Sequence, residues 1–296
     1  MRPRPPSLKR ALDRLYRQYN RADAATDPVE IVRRYPDPAD REVVGFCAAA
    51  LAFGRVAGVM RAIEGLLDRL GPSPSSFLRG FDPGRDGPGL APLVHRWTRA
   101  PDLVALLWIL RRMLESAGSI ERFFLDGDRA DTPDVGGALE SFAMRARSID
   151  LGPAYGTVPA RPGVAYFFPR PSAGSACKRL NLFLRWMVRR DQVDLGVWAA
   201  VSPSRLIVPL DTHVIRVGQC LRLTGRRSPG WRMAVEITES LRTLDPADPV
   251  KYDFSLCHLG MTNACGFGRR QRDRGCPLRG LCTPSAARRS HLPPVR

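Results

Sequence analysis

The sequence predicts an all-α fold, on three observations. Apolar residues recur every three or four positions in one segment after another, which is the spacing of a single buried helix face. Gly and Pro punctuate the chain between those segments. No pair of alternating apolar and polar runs reads as a strand pair, and no repeat of fixed period is present. About ten helices are expected from the spacing.

In chain order, residues 8 to 19 carry Leu8, Leu12, Leu15, Tyr16 and Tyr19 at helical spacing. Asp37-Pro-Ala-Asp40 supplies an N-cap with proline in the first turn. The helix that follows, Val43 to Phe53, is apolar almost all round and should be buried. It ends at Phe53-Gly54-Arg55, and a second helix runs from about 56 to 70, stopped by Gly71-Pro72. Residues 71 to 93 are rich in Gly, Pro and Ser, with a helical hint only at Phe77-Leu78. Helices are expected at 102–116, 119–126 and 134–147; 150–176 is again rich in Gly and Pro. Further helices are expected at 178–190, 194–200 (a short one), 212–223, 229–243 and 249–264. The chain thus divides into a basic N-terminal helix (1–27), a helical region (28–264) and a basic, Cys-containing tail (265–296).

The apolar fraction of 44% is enough for a real core. No run of about 18 apolar residues is present, so no membrane span is expected. The start, MRPRPPSLKR, is basic without a following apolar stretch, which argues against a secretory signal and for a cytoplasmic protein. The formal charge is +17 and the pI near 10.6, so a polyanion, DNA or RNA, is the expected partner. A generally basic surface without such a partner is the plainer alternative. Of seven cysteines, Cys257, Cys265, Cys276 and Cys282 fall in the last forty residues. In a cytosolic chain such a group reads as a metal site before it reads as disulfides.

Of 46 basic residues only Lys9, Lys178 and Lys251 are lysines. Where charge alone is needed, this chain uses arginine. A lysine can lose its proton and form a Schiff base, which an arginine cannot. Lys9 lies in the basic N-terminal segment and reads as a solvated charge. Lys251, in Asp248-Pro-Val-Lys-Tyr-Asp253, has flanking carboxylates that favour the ammonium and an ion pair. Lys178 follows a Gly-containing turn, Pro171-Ser-Ala-Gly174-Ser-Ala176-Cys-Lys178, and opens an amphipathic helix. The turn amides and the helix N-terminus make a favourable phosphate site, and the positive helix end with Arg179 beside it should disfavour the ammonium form. Downstream, Leu206-Ile-Val-Pro-Leu-Asp-Thr-His-Val214 ends an apolar run in Asp211 at a helix start. Asp211 is a good N-cap, and at a cleft mouth its carboxylate would also stabilise positive charge on a sugar. Phe53, Arg55, Trp186 and Phe254 are weaker pocket candidates, since aromatics at helical spacing usually belong to a core.

These residues resemble the helix-hairpin-helix DNA glycosylases, which include endonuclease III. Their hairpin reads Gly-x-Gly-x-Lys, followed by an aspartate at a helix start; here Gly174-x-Ala176-x-Lys178 precedes Asp211. Ala176 replaces the second glycine. The separation of 33 residues between Lys178 and Asp211 is longer than in endonuclease III and resembles the archaeal 8-oxoguanine glycosylase branch. The wording from Ser175 to Arg189, from Pro209 to Val214 and from Asp248 to Phe254 is similar to a bacterial family catalogued as a domain of unknown function. That likeness spans about 28–264.

The resemblance implies a two-lobed helical fold, with N- and C-terminal helices sharing one lobe and a cleft between lobes. It implies a DNA base-excision repair glycosylase, with AP-lyase activity through a lysine Schiff base. Lys178 and Asp211 would be catalytic, and Gly174, Ser175, Ala176, Cys177 and Arg179 would contact DNA. The partner would be double-stranded DNA carrying a damaged base or an abasic site, bound by a nucleoid-associated monomer. The superfamily often carries a four-cysteine [4Fe–4S] loop after its last helix. Cys276-Pro-Leu-x3-Cys282 matches the end of that pattern, Cys265 its start, and Cys257 would replace the missing second cysteine. Zinc and free thiols are the other readings of the four. Two other classes remain open: a non-catalytic DNA- or RNA-binding protein with the hairpin fold, and a metal-cluster regulator.

Overall fold

The computed structural model describes residues 5–23, 27–262 and 276–282. Among the described residues there are fourteen α-helices and no strand, only two isolated bridges. The all-α expectation is met. In order they are α1 (Pro5–Tyr19), α2 (Val29–Arg33), α3 (Pro38–Leu51), α4 (Val56–Leu70), α5 (Pro74–Arg79), α6 (Pro83–Asp86) and α7 (Ala100–Ala117). Then come α8 (Ile120–Leu125), α9 (Gly136–Arg147), α10 (Gly152–Tyr155), α11 (Lys178–Val188), α12 (Thr212–Cys220), α13 (Trp231–Arg242) and α14 (Asp253–Met261).

The centre of the fold is α3. Asp37 caps it by accepting from Ala39 N at 2.8 Å, with Pro38 in the first turn. Its residues from Glu42 to Leu51 are all buried, as an all-round apolar helix requires. It packs against α2, α4, α5, α8 and α11. Glu42 is the exception to its apolar surface. Its carboxylate accepts from Ile120 N (3.1 Å), Glu121 N (2.9 Å) and Trp198 Nε1 (2.7 Å), so one buried side chain caps α8 and anchors a distant loop. Burial nevertheless pushes its pKa up.

The N-terminal helix lays Leu8, Leu12 and Leu15 inward and packs against α14. In turn, α12 lies along α14 and extends the same region. Gly260 makes that approach close: a Cβ there would stand 2.6 Å from the Cβ of His213.

The structure corrects several boundaries. Residues 194–200 are not a helix. The chain turns back over the end of α11, with a bridge between Arg190 and Leu195 and with Trp198 N donating to Met187 O at 2.7 Å. Gly196, at φ 60°, makes the turn. The last helix is split: a 3-10 turn (Pro249–Tyr252) precedes α14. The short helices α2, α6 and α10 were not anticipated; each has proline just before or inside its first turn and is too short to leave a periodic signal. Ahead of Lys178 stand only 3-10 turns (Gly163–Phe167 and Pro171–Ala173), so the hairpin is entered from a 3-10 turn.

Candidate functional site

The turn before Lys178 contains two left-handed residues. Gly174 has φ 77°, and Cys177, at φ 48°, is the residue directly before α11. Ala176 is not left-handed, so alanine fits where the resemblance led us to expect glycine. The turn is held from three sides. Ser172 donates to Glu140 of α9 through its N (2.9 Å) and its Oγ (2.7 Å). The Gly174 carbonyl accepts from Trp231 N at 3.2 Å, and the buried Cys177 thiol points at Pro169 O, 3.5 Å away. Burial pushes that thiol up to about 12. Among the described residues the amides of Ser175 and Ala176 have no internal acceptor, and α11 has no side-chain cap. Donors therefore remain open where Lys178 begins.

Arg179 departs from expectation. Its guanidinium turns inward, donating to Ala50 O (3.2 Å) and Tyr166 O (2.5 Å) and lying 3.6 Å from the Tyr166 ring centre. Burial brings its pKa down to about 10. It is a structural brace between α3 and α11, and it does not present itself to a phosphate.

Asp211 caps α12. Its Oδ1 accepts from His213 N and Val214 N, both at 2.8 Å. Its other oxygen, Oδ2, accepts a hydrogen bond from the Cys257 thiol at 3.1 Å. The segment leading to Asp211 is pinned by Val208 N donating to Thr238 Oγ1 at 3.1 Å.

Lys178 and Asp211 line one cleft of about 560 Å³. Phe53, from the α3–α4 junction, Leu182 of α11, Leu210, and Phe254 and Cys257 of α14 supply its walls. Lys178 makes no salt bridge or hydrogen bond among the described residues, so its amine is not committed to a partner. Of the weaker pocket candidates, Phe53 and Phe254 do face this cleft. Trp186 is fully buried, and Arg55 lines a neighbouring groove instead.

The inner wall was not anticipated. Arg185 and Asp253, each with a side chain only 3% exposed, form an ion pair of 2.5 Å through Nη1 and Oδ2. Arg185 also pairs with Asp194 at 3.1 Å. This leaves Arg185 Nη2, Asp253 Oδ1 and the neighbouring His213 Nδ1 buried without a hydrogen-bond partner among the described residues, all on residues that line the cleft. Burial pushes Asp253 up to about 6 despite Arg185. Arg185 itself is raised, because Asp194 and Asp253 outweigh its burial. One turn on, Arg189 joins Asp194, Asp191 (2.9 Å) and Asp248 (2.9 Å). Two arginines four apart, Arg185 in the last turn of α11 and Arg189 just past its end, with four aspartates downstream, were the available signal.

Lys251 is committed to ion pairs, as its surroundings suggested, but with Asp245 and with Asp13 (3.5 Å). Asp248 and Asp253, its sequence neighbours, serve Arg189 and Arg185 instead. Lys9 pairs with Asp13 at 3.2 Å, so it is not simply solvated.

Cys257 is one of the four expected metal ligands. Its thiol is turned to Asp211, and burial, with Asp211 and Asp253 adding to it, pushes its pKa well above the ordinary value near 9. A metal ligand must be a thiolate, and a carboxylate at 3.1 Å opposes that second negative charge. Cys257 therefore does not fit a four-thiolate site in this arrangement. Cys276 is buried and Cys282 half-buried, and Cys265 lies outside the described residues. Among the described residues no three His, Cys, Asp or Glu side chains are grouped as a metal set. No helix is long and apolar enough to cross a membrane among them either.

No curated protein and no solved structure matches this chain. A family model described as "Protein of unknown function (DUF2400)" matches residues 27–262. That span holds Lys178, Asp211, Cys257 and every wall of the cleft, and it covers well over half of the chain; the chain belongs to the DUF2400 family.

Proposed function

We propose that the cleft is the active site of a DNA base-excision glycosylase that also cleaves at the abasic site through a lysine Schiff base. One observation carries the reading: a lysine and an aspartate 33 residues apart in sequence line the same largely apolar cleft, and among the described residues the lysine makes no hydrogen bond or salt bridge. A flipped nucleotide would bring its base into the cleft and leave its phosphates on the hairpin amides. The N- and C-terminal helices on one side and α3–α9 on the other would act as the two lobes of a glycosylase.

In this mechanism the Lys178 amine lone pair forms a bond to the sugar C1′. The C1′–N bond breaks, and its electron pair leaves with the base, which takes up a proton. Asp211 stabilises the positive charge that builds on the sugar during this step. Ring opening then gives an iminium, from which loss of a C2′ proton expels the 3′ phosphate. The formal charge of +17 supports a polyanionic substrate. A [4Fe–4S] cluster is not part of the proposal at Cys257, and no step depends on one.

Borohydride trapping tests it. Wild-type protein incubated with duplex DNA carrying an abasic site or a damaged base should yield a covalent adduct, because hydride reduces the iminium to a stable amine. Lys178→Gln should yield none. An adduct that persists in Lys178→Gln sinks the assigned nucleophile. Base release without any adduct would leave a glycosylase lacking the lyase step, and tight binding with neither would leave a nucleic-acid-binding protein.

A further inference from the structure

Next to the cleft lies an aromatic surface that the Lys178–Asp211 chemistry does not use. Trp97 is 50% exposed and Tyr166 is 43% exposed, which is unusual for side chains of this size. They are in contact, with ring centres 5.1 Å apart and planes at 82°. Phe53 completes the group, stacked on Trp97 at 4.6 Å and 25° and edge-on to Tyr166 at 5.7 Å.

The group is held in place by its surroundings. Trp97 stands at the tip of a four-residue turn in which His95 and Thr98 exchange both backbone bonds, at 3.1 and 2.9 Å. His95 Nε2 lies 2.9 Å from Phe53 O, which ties the turn to the end of α3. Arg96, left-handed at φ 57°, packs over Gly54 and lies 5.6 Å from the Trp97 ring centre. Tyr166 is backed by the buried Arg179 guanidinium. Two half-exposed rings are thus held in place by these contacts.

The surface is continuous with the proposed active site. Phe53 lines the Lys178–Asp211 cleft, and Phe53, Tyr166 and Lys178 together line an adjoining hollow of about 440 Å³ that also includes Ser175, Ala176 and Arg147. Arg147 lines this hollow, and Arg96 lies beside the Trp97 ring and lines a neighbouring groove. Exposed aromatic side chains beside cationic ones are the chemistry that holds an unstacked nucleobase and its phosphate.

We propose that Trp97 stacks on one nucleobase freed from pairing beside the sugar that Lys178 addresses, with Tyr166, perpendicular to Trp97, against the edge of that base. This rests on the reading of the cleft as a DNA site. The stacked base belongs to the nucleic-acid strand outside the cleft and is not the base released inside it. Arg96 and Arg147 take the adjacent phosphates.

The test uses the full chain and duplexes containing a tetrahydrofuran abasic analogue, with 2-aminopurine at the flanking or the opposite position. For wild type, 2-aminopurine at one of these positions should be quenched on binding. Trp97→Ala should lose that quenching and weaken binding tenfold or more, and Trp97→Phe should restore most of both. Because Trp97 is half exposed, neither substitution is expected to unfold the chain. Binding by Trp97→Ala within twofold of wild type, or no quenching at any position, overturns the stacking proposal. Borohydride trapping on the same proteins keeps the two proposals apart. No adduct from wild type, together with a large Trp97→Ala loss, would sink the catalytic reading and leave the stacking proposal standing.

Discussion

The Cys257 thiol donates to Asp211 Oδ2 at 3.1 Å, and so occupies the one carboxylate oxygen that the α12 cap leaves open. The two residues are 46 positions apart and meet because α14 packs along α12. Oδ1 fixes where the carboxylate stands, and the thiol fixes how it is rotated. Asp211 therefore combines a local structural role with one facing the cleft.

These two roles are separable by substitution. Asp211→Asn keeps a good capping side chain, and the fold should lose no more than about 1 kcal/mol. Asp211→Ala removes the cap and should cost about 1 kcal/mol more. Both should reduce trapped adduct on duplex DNA carrying a damaged base by about a hundredfold, since each removes the negative charge that stabilises the sugar as the base leaves. Urea denaturation read beside single-turnover trapping separates the effects. A full-rate Asp211→Asn would mean that the carboxylate is a cap alone.

Cys257 should be a sluggish nucleophile. Burial, with Asp211 and Asp253, holds its thiol well above 9, so little thiolate forms at pH 8. Its alkylation by iodoacetamide, followed by peptide mass spectrometry, should be at least tenfold slower than that of a free cysteine and still rising at pH 9.5. Asp211→Asn should speed it up. A reaction rate at pH 8 equal to free cysteine would contradict the observed hydrogen bond.

Asp253 gives the pH dependence of stability a definite sign. Its folded pKa of about 6 lies above its ordinary value of 3.8, so between these values the folded chain holds a proton that the unfolded chain has released. Its contribution is complete below pH 3.8 and is lost as pH rises through about 6. An asparagine side chain cannot titrate, so the stability of wild type relative to Asp253→Asn should fall between pH 4 and pH 7. The change should be on the order of 2 kcal/mol. Thermal melts of both proteins across that range check it; a constant difference would mean that Asp253 is ionised throughout.

Gly230 controls where the Lys178 turn sits. Its backbone is extended, at φ 171°, so alanine would suffer no conformational strain there. The added Cβ would instead lie 2.8 Å from Gly174 O, a backbone atom of the turn. Gly230→Ala should destabilise the chain by about 1–3 kcal/mol and also weaken DNA binding by shifting the hairpin amides. Gly58→Ala, with open space around it and φ outside the left-handed range, is the control that should do neither. Denaturation and fluorescence anisotropy on the two variants make the comparison.

Local chemistry alone made much of this protein legible. The apolar periodicity located the long helices, Asp37 and Asp211 marked helix starts, and the scarcity of lysine singled out Lys178. Each is a statement about neighbours within a few positions, where hydrogen-bond geometry and side-chain spacing are set by the chain itself. Tertiary packing decided what no local rule reaches. It brought Lys178 and Asp211 to one cleft, turned Arg179 inward, and buried Arg185 against Asp194 and Asp253. It also set the Cys257 thiol against the Asp211 carboxylate, and Trp97 beside Tyr166 across 69 residues. The reason is physical: a side chain's charge state and partners follow from burial and from groups distant in sequence, and only the packed core determines which groups those are.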